Sequence, residues 1–169
     1  MWLNLAIAAS LVFVRAAAAC DSDSTAIFGC QAANGRKFIE LCASSSVAPE
    51  SGYLQYRFGT LGSGGEEKEL ELEFPAKRQG SFKHFVGATY THQGIYTQSV
   101  RFATTAFNYS VFTRTKGKND LGAGVEVRDL RIGKTTVVSC SERPRFYIFE
   151  LKNLVACDPE TPVGTACIK

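Results

Sequence analysis

Alternation of apolar and polar residues dominates the chain after its first nineteen positions. In Tyr53-Leu54-Gln55-Tyr56-Arg57-Phe58 the apolar side carries Leu54, Tyr56 and Phe58, and in Glu69-Leu70-Glu71-Leu72-Glu73-Phe74 three glutamates oppose Leu70, Leu72 and Phe74. A period of two describes half-buried antiparallel strands. If these segments pair through a loop at Gly59 to Gly65, Arg57 lies across from the glutamate row and offsets its repulsion. Upstream, residues 26–32 and 36–42 flank Asn34-Gly35, a strong short hairpin signal. Downstream, residues 82–90, 98–103, 107–114, 123–128 and 135–140 read as strands. Residues 145–151 are apolar on both faces and read as a central or buried strand. Turn signals at His92-Gln93-Gly94, Gly117-Lys118-Asn119-Asp120 and Arg131-Ile132-Gly133 separate them. The glycines of Gly122-Ala123-Gly124 mark a bulge or a close backbone approach. No window after residue 19 carries a sustained helical stripe, and no internal repeat is visible. The pattern predicts an all-β fold, a single antiparallel barrel or sandwich of eight or nine short strands.

Composition adds location. The chain has 169 residues, 45% of them hydrophobic and 21% charged, which sets it among globular domains and supports one of them. Residues 1–19 hold an apolar run from Leu5 to Val14 followed by Ala17-Ala18-Ala19. That run is half the roughly 20 residues a membrane span needs, and it fits a secretory signal with an A-x-A cleavage site. The mature domain is then residues 20–169, with a cysteine-containing tail from about 152. Ala-Ala-Ala-Cys also resembles a lipobox, so a membrane association would arise if Cys20 were lipidated. Such a modification would leave five cysteines, an odd number for an oxidising compartment. A soluble periplasmic or secreted protein is expected. Cleavage removes Arg15 and no acid, so the formal charge falls by one, from +3 to +2. That charge gives no footprint for nucleic acid.

Cys20, Cys30, Cys42, Cys140, Cys157 and Cys167 contain no Cys-x-x-Cys pair, which argues against a zinc ribbon or a thioredoxin-like motif. They read as a disulfide framework. In a two-residue hairpin at Asn34-Gly35, Cys30 faces Ile39 and Cys42 faces Ile27. Cys30 and Cys42 then point to opposite faces and cannot bond without a bulge or a longer loop. A long-range closure from the first hairpin to Cys140 is expected, with Cys157 and Cys167 stapling the tail.

Catalytic patterns are sparse. The sequence shows no G-x-S-x-G elbow, H-E-x-x-H helix, P-loop or dinucleotide fingerprint. His84 and His92, the only histidines, would stand about 26 Å apart on one extended strand. Glu66, Glu67, Glu69, Glu71 and Glu73 read as a solvated row guarding a sheet edge, not as a glycosidase pair. The chain is therefore expected to act without catalysis, cofactor or metal. Asn108-Tyr109-Ser110 is formally a glycosylation acceptor, placed mid-strand.

Arg114, Lys116 and Lys118 gather where the 107–114 strand ends. There, Phe112-Thr113-Arg114-Thr115-Lys116-Gly117 resembles the Thr-Lys-Gly strand end of the small periplasmic lysozyme inhibitors of bacteria. The inhibitor pattern's tyrosine falls on Val111 here, with Tyr109 nearby. Gln93-Gly94-Ile95-Tyr96 is similar to the companion S-G-x-x-Y motif. The wider layout, from Phe28-Gly29-Cys30 and Leu41-Cys42 through Tyr56-Arg57-Phe58-Gly59 to Ala123-Gly124-Val125-Glu126-Val127, resembles exported proteobacterial β-proteins. The resemblance implies a compact antiparallel protein that inhibits a lysozyme-like cell-wall hydrolase by pushing a loop into its cleft. Lys116 would be the inserted residue, with Thr115 beside it and Tyr96 and Tyr109 as loop supports. The alternative expectation is a structural or small-ligand-binding envelope protein.

Overall fold

A computed structural model describes residues 20–45 and 51–169; the expected signal segment lies outside the described residues. Among the described residues, eleven strands form two sheets. The small sheet runs in order β1 (Ser24–Ala32), β2 (Lys37–Ser44), β3 (Leu54–Leu61) and β4 (Glu67–Phe74). The large sheet contains β5 (Val86–His92), β6 (Ile95–Ala103), β7 (Phe107–Lys116), β8 (Asn119–Asp129), β9 (Thr135–Ser139), β10 (Ala156–Thr161) and β11 (Gly164–Ala166). Its spatial order is β11-β10-β5-β6-β7-β8-β9. The fold is all-β, a sandwich and not a closed barrel.

The alternating residues build the interior. Ile39, Leu41, Leu54 and Tyr56 of the small sheet meet Val100, Phe102, Val111 and Val125 of the large one. Phe102 stacks between Phe74 (centroids 4.6 Å apart) and Tyr109 (4.8 Å), and Tyr56 lies 5.0 Å from Phe102. Such ring pairs contribute about 0.5–1.5 kcal/mol each beyond the area they bury.

The first hairpin pairs Cys30 with Ile39 as the spacing predicts, through a turn in which Asn34 (φ 58°) and Gly35 (φ 78°) are left-handed. A bulge at Ile27 then moves the register, so that Cys42 faces Ala26 and not Ile27. Cys30 and Cys42 do not bond to each other. The disulfides are Cys20–Cys42, Cys30–Cys140 and Cys157–Cys167. The second joins β1 to the end of β9, where Ala32 and Cys140 also form a bridge.

Two expected strands differ. Within residues 145–151, Phe146 bridges Phe28, and the chain then turns into a 3₁₀ segment, Ile148–Leu151. Ile148 and Leu151 are fully buried while Phe149 is exposed. Three residues make one 3₁₀ turn, so buried positions three apart imitate a strand that is apolar on both faces. The same spacing places Phe82 and Phe85 inward at the 3₁₀ segment Ser81–His84, which delays β5 to Val86. The expected tail is partly sheet: β10 runs parallel to β5, with Ala156 beside Val86 and Cys157 beside Gly87.

Candidate functional site

The outward face of the large sheet carries a groove of about 300 Å³. Antiparallel register explains its shape. Across β5, β6, β7, β8 and β9, one outward row is Ala88, Ser99, Phe112, Gly124 and Ser139, mostly small residues. The next row is Val86, Arg101, Ser110, Glu126 and Val137, followed at the sheet's end by Asn108, Arg128 and Thr135. Small side chains lower the middle, and long charged ones raise the rims. Gly124 is required in the middle row, because a Cβ there would stand 2.2 Å from the Val138 carbonyl oxygen.

The end of the β10–β11 hairpin forms one wall. Asp158 accepts two hydrogen bonds from Arg101, from Nε at 3.0 Å and from the terminal nitrogen at 2.6 Å. Glu160 lies 3.2 Å from the same guanidinium. The bond to Asp158 raises the Arg101 pKa further above its ordinary value, so this cation stays charged. Across the groove Arg114 donates to Glu126 at 2.9 Å and lies 4.2 Å above the Phe112 ring. Arg128 lines the groove, is exposed, and makes no ion pair or hydrogen bond among the described residues.

The expected contact residues divide. Tyr96 pairs with Thr115, and Lys116 with Asn119 beside the two-residue turn Gly117-Lys118. Lys116 reaches the neighbouring turn, its Cε 3.7 Å from where a Cβ on Gly94 would stand. These three residues therefore share one end of the sheet. Lys116 leaves from the groove face, whereas Tyr96 and Thr115 occupy the other. Tyr109 does not join them. It points into the sandwich against Phe102 and Tyr56, about 23 Å along β7 from Lys116. Burial raises its hydroxyl pKa, as expected of a core tyrosine.

The remaining candidates take structural positions. Arg57 pairs with Glu73 in register and reaches Glu67 at 2.7 Å; Lys37 and Thr60 hold Glu71. His84 and His92 are both exposed. Among the described residues, the metal-compatible grouping is Cys20, Glu40 and Cys42, but its two sulfurs are joined as a disulfide. Asn108 of the glycosylation-like triplet is half-buried on the groove side. Sequence reading missed the groove. Its signal was the uncharged polar residues at outward positions of β6 and β7 (Thr97, Ser99 and Ser110), where an ordinary surface strand carries charge.

Comparison with protein-family models, curated proteins and solved structures finds no match.

Proposed function

We propose that this chain is an exported binding domain that acts by contact on a protein partner, a lysozyme-like cell-wall hydrolase. The β7–β8 hairpin end enters the partner's acidic cleft with Lys116 leading. The carrying observation is the shared position of Lys116, Thr115 and Tyr96 at one sheet end, with Lys116 exposed beside a tight turn. A rigid hairpin loses little conformational entropy on insertion, and a leading ammonium is steered toward carboxylates. Three disulfides suit an oxidising compartment, the periplasm or the exterior. Turbidity assays of cell-wall lysis with several lysozyme types test the proposal. Inhibition is expected, and Lys116→Glu should weaken it at least about tenfold, or 1.4 kcal/mol. A folded protein that inhibits none of them removes this reading.

The groove favours a second reading, a small-ligand-binding envelope protein. Its surface is the outward face of β6 and β7, independent of whether the hairpin end meets a hydrolase.

A further inference from the structure

We propose that the groove binds a carboxylated saccharide of one or two sugar units, with the carboxylate on Arg128. This inference rests on the small-ligand reading and adds a ligand class to it. The groove's volume of about 300 Å³ lies at the lower end of small-molecule sites, which run from roughly 300 to 1,000 Å³.

Its floor is chemically unspent. Thr97 is 3% exposed and Ser99 5% exposed, yet neither hydroxyl is hydrogen-bonded to any described residue. Ser110, Asn108 and Thr135 line the same groove with side chains equally uncommitted. A hydroxyl offers one donor and two acceptor positions, and an amide offers both kinds. A row of such groups complements a polyol, whose own hydroxyls each donate and accept. A purely apolar ligand would instead strand them, at a cost of about 1–3 kcal/mol for each group left unpaired.

The charges select the acid. Arg114 is matched by Glu126, and Arg101 by both Asp158 and Glu160, so the hairpin wall has one carboxylate in excess. Arg128, two strands away on β8, is unmatched. The groove thus runs from an acidic wall to a lone guanidinium. A guanidinium takes a carboxylate through two parallel hydrogen bonds. One unmatched cation fits a single negative charge, while the acidic wall disfavours a dianion such as phosphate and accepts donor hydroxyls. A sugar acid joined to a neutral sugar meets both ends.

The test is titration of the disulfide-intact protein with a glucuronate–N-acetylglucosamine disaccharide, followed by backbone amide NMR and calorimetry. N,N′-diacetylchitobiose, sodium acetate and inorganic phosphate serve as comparison probes. Saturable one-to-one binding of the acidic disaccharide is expected, with shifts at Ser99, Ser110 and Arg128. The neutral disaccharide should bind at least about tenfold more weakly, and acetate more weakly again. Arg128→Gln should bring the acidic disaccharide down to the neutral level, with Arg128→Lys intermediate. Since Arg128 is exposed, both variants should melt within a few degrees of the parent. Equal binding of the two disaccharides, or no effect of Arg128→Gln, overturns the carboxylate assignment and leaves the small-ligand reading standing. Phosphate binding as tightly as the acidic disaccharide overturns the saccharide class. Absence of binding by every probe overturns this inference and removes the support the groove lends to the small-ligand reading.

Discussion

The two outward faces of this sandwich use the same residue types to opposite ends. On the small sheet, Glu40 is 4% exposed, Arg57 8% and Gln55 fully buried. Arg57 lies within 4 Å of Glu40, Glu67 and Glu73, and Gln55 bonds to the Pro75 carbonyl and accepts from Arg78. Arg78 in turn holds Asp21, and the Cys20–Cys42 disulfide draws that segment over the face. On the large sheet the charged rims are paired, but the hydroxyl floor and Arg128 keep their bonding capacity. A polar face whose groups are satisfied internally is structural. One left open toward a groove is available to a ligand.

The largest test of that contrast removes the link between the sheets. Cys30 and Cys140 are 110 residues apart, and closing a loop of that size contributes about 4–5 kcal/mol in the chain-entropy account. Replacing both by serine should lower the urea midpoint accordingly, with an unchanged slope if unfolding stays cooperative. Replacing Cys157 and Cys167 frees a separation of only 10 residues and should cost less, about 2–3 kcal/mol. Its distinctive effect is local: faster amide exchange at Asp158 and Glu160 while the small sheet stays protected.

Next comes a matched pair of substitutions. Arg57→Met leaves Glu40 buried without its cation, and removing one member of a buried ion pair costs about 3–5 kcal/mol. Arg128→Met, on an exposed side chain without a partner among the described residues, should change stability by no more than about 0.5 kcal/mol. Denaturant titration of both variants measures the contrast directly. Equal costs would mean that Arg128 is structural after all and that the two faces do not differ as described.

Why the first face was visible in the sequence and the second was not follows from where the information lies. The pairing of β3 with β4 and a place for Arg57 across from the glutamate row are local signals, and Arg57 does face Glu73. The Glu69–Phe74 alternation itself is broken by a bulge at Glu71, which leaves Leu70 exposed opposite Gly59. Hairpin parity likewise kept Cys30 and Cys42 apart, while the expected closure from the first hairpin to Cys140 is realised as Cys30–Cys140. The groove depends on register across five strands, since Ser99, Ser110 and Arg128 meet only once β6, β7 and β8 are aligned. Strand β10 carries Pro159 and no alternation. Its hairpin with β11 is local, but what joins it to the large sheet is a two-residue parallel pairing to β5 and the Asp158–Arg101 bonds, neither of which is local. Proline is admitted there because it lies past the residues paired with β5 and at the irregularity between Asp158 and Thr161 in the pairing with β11.

The shared interior supplies a smaller, pH-dependent test. Tyr56 is buried against Phe102, and desolvation raises its phenol pKa well above the ordinary value near 10. A raised folded-state value means the stabilisation is complete below pH 10. It declines as pH rises toward the folded value, because the unfolded chain then releases a proton that the folded chain retains. The slope is about 1.4 kcal/mol per pH unit for each such group. Tyr56→Phe should therefore flatten the alkaline loss of stability measured between pH 9.5 and 11.5. An unchanged slope would place the phenol in contact with water.

The smallest effect belongs to the rim of the small sheet. Glu71 accepts hydrogen bonds from Lys37 and Thr60, and the Lys37 bond is the main cause of its lowered pKa. A lowered value reverses the sign: the contribution is present above the unfolded carboxyl pKa, near 4.3, and is lost as pH falls through the folded value. About a third of the side chain is exposed, so solvent screening holds the contribution below about 1 kcal/mol. Glu71→Gln should thus destabilise slightly at pH 6 and not at all at pH 2.5, with 0.5 M salt narrowing the difference at pH 6. Arg57 should show less relief by salt, because its own side chain and that of Glu40 are desolvated while Glu67 and Glu73 stay about a third exposed. If salt weakened both equally, the Arg57 cluster would be a surface network, and the internal satisfaction that sets the small sheet's outward face apart from the groove would fail.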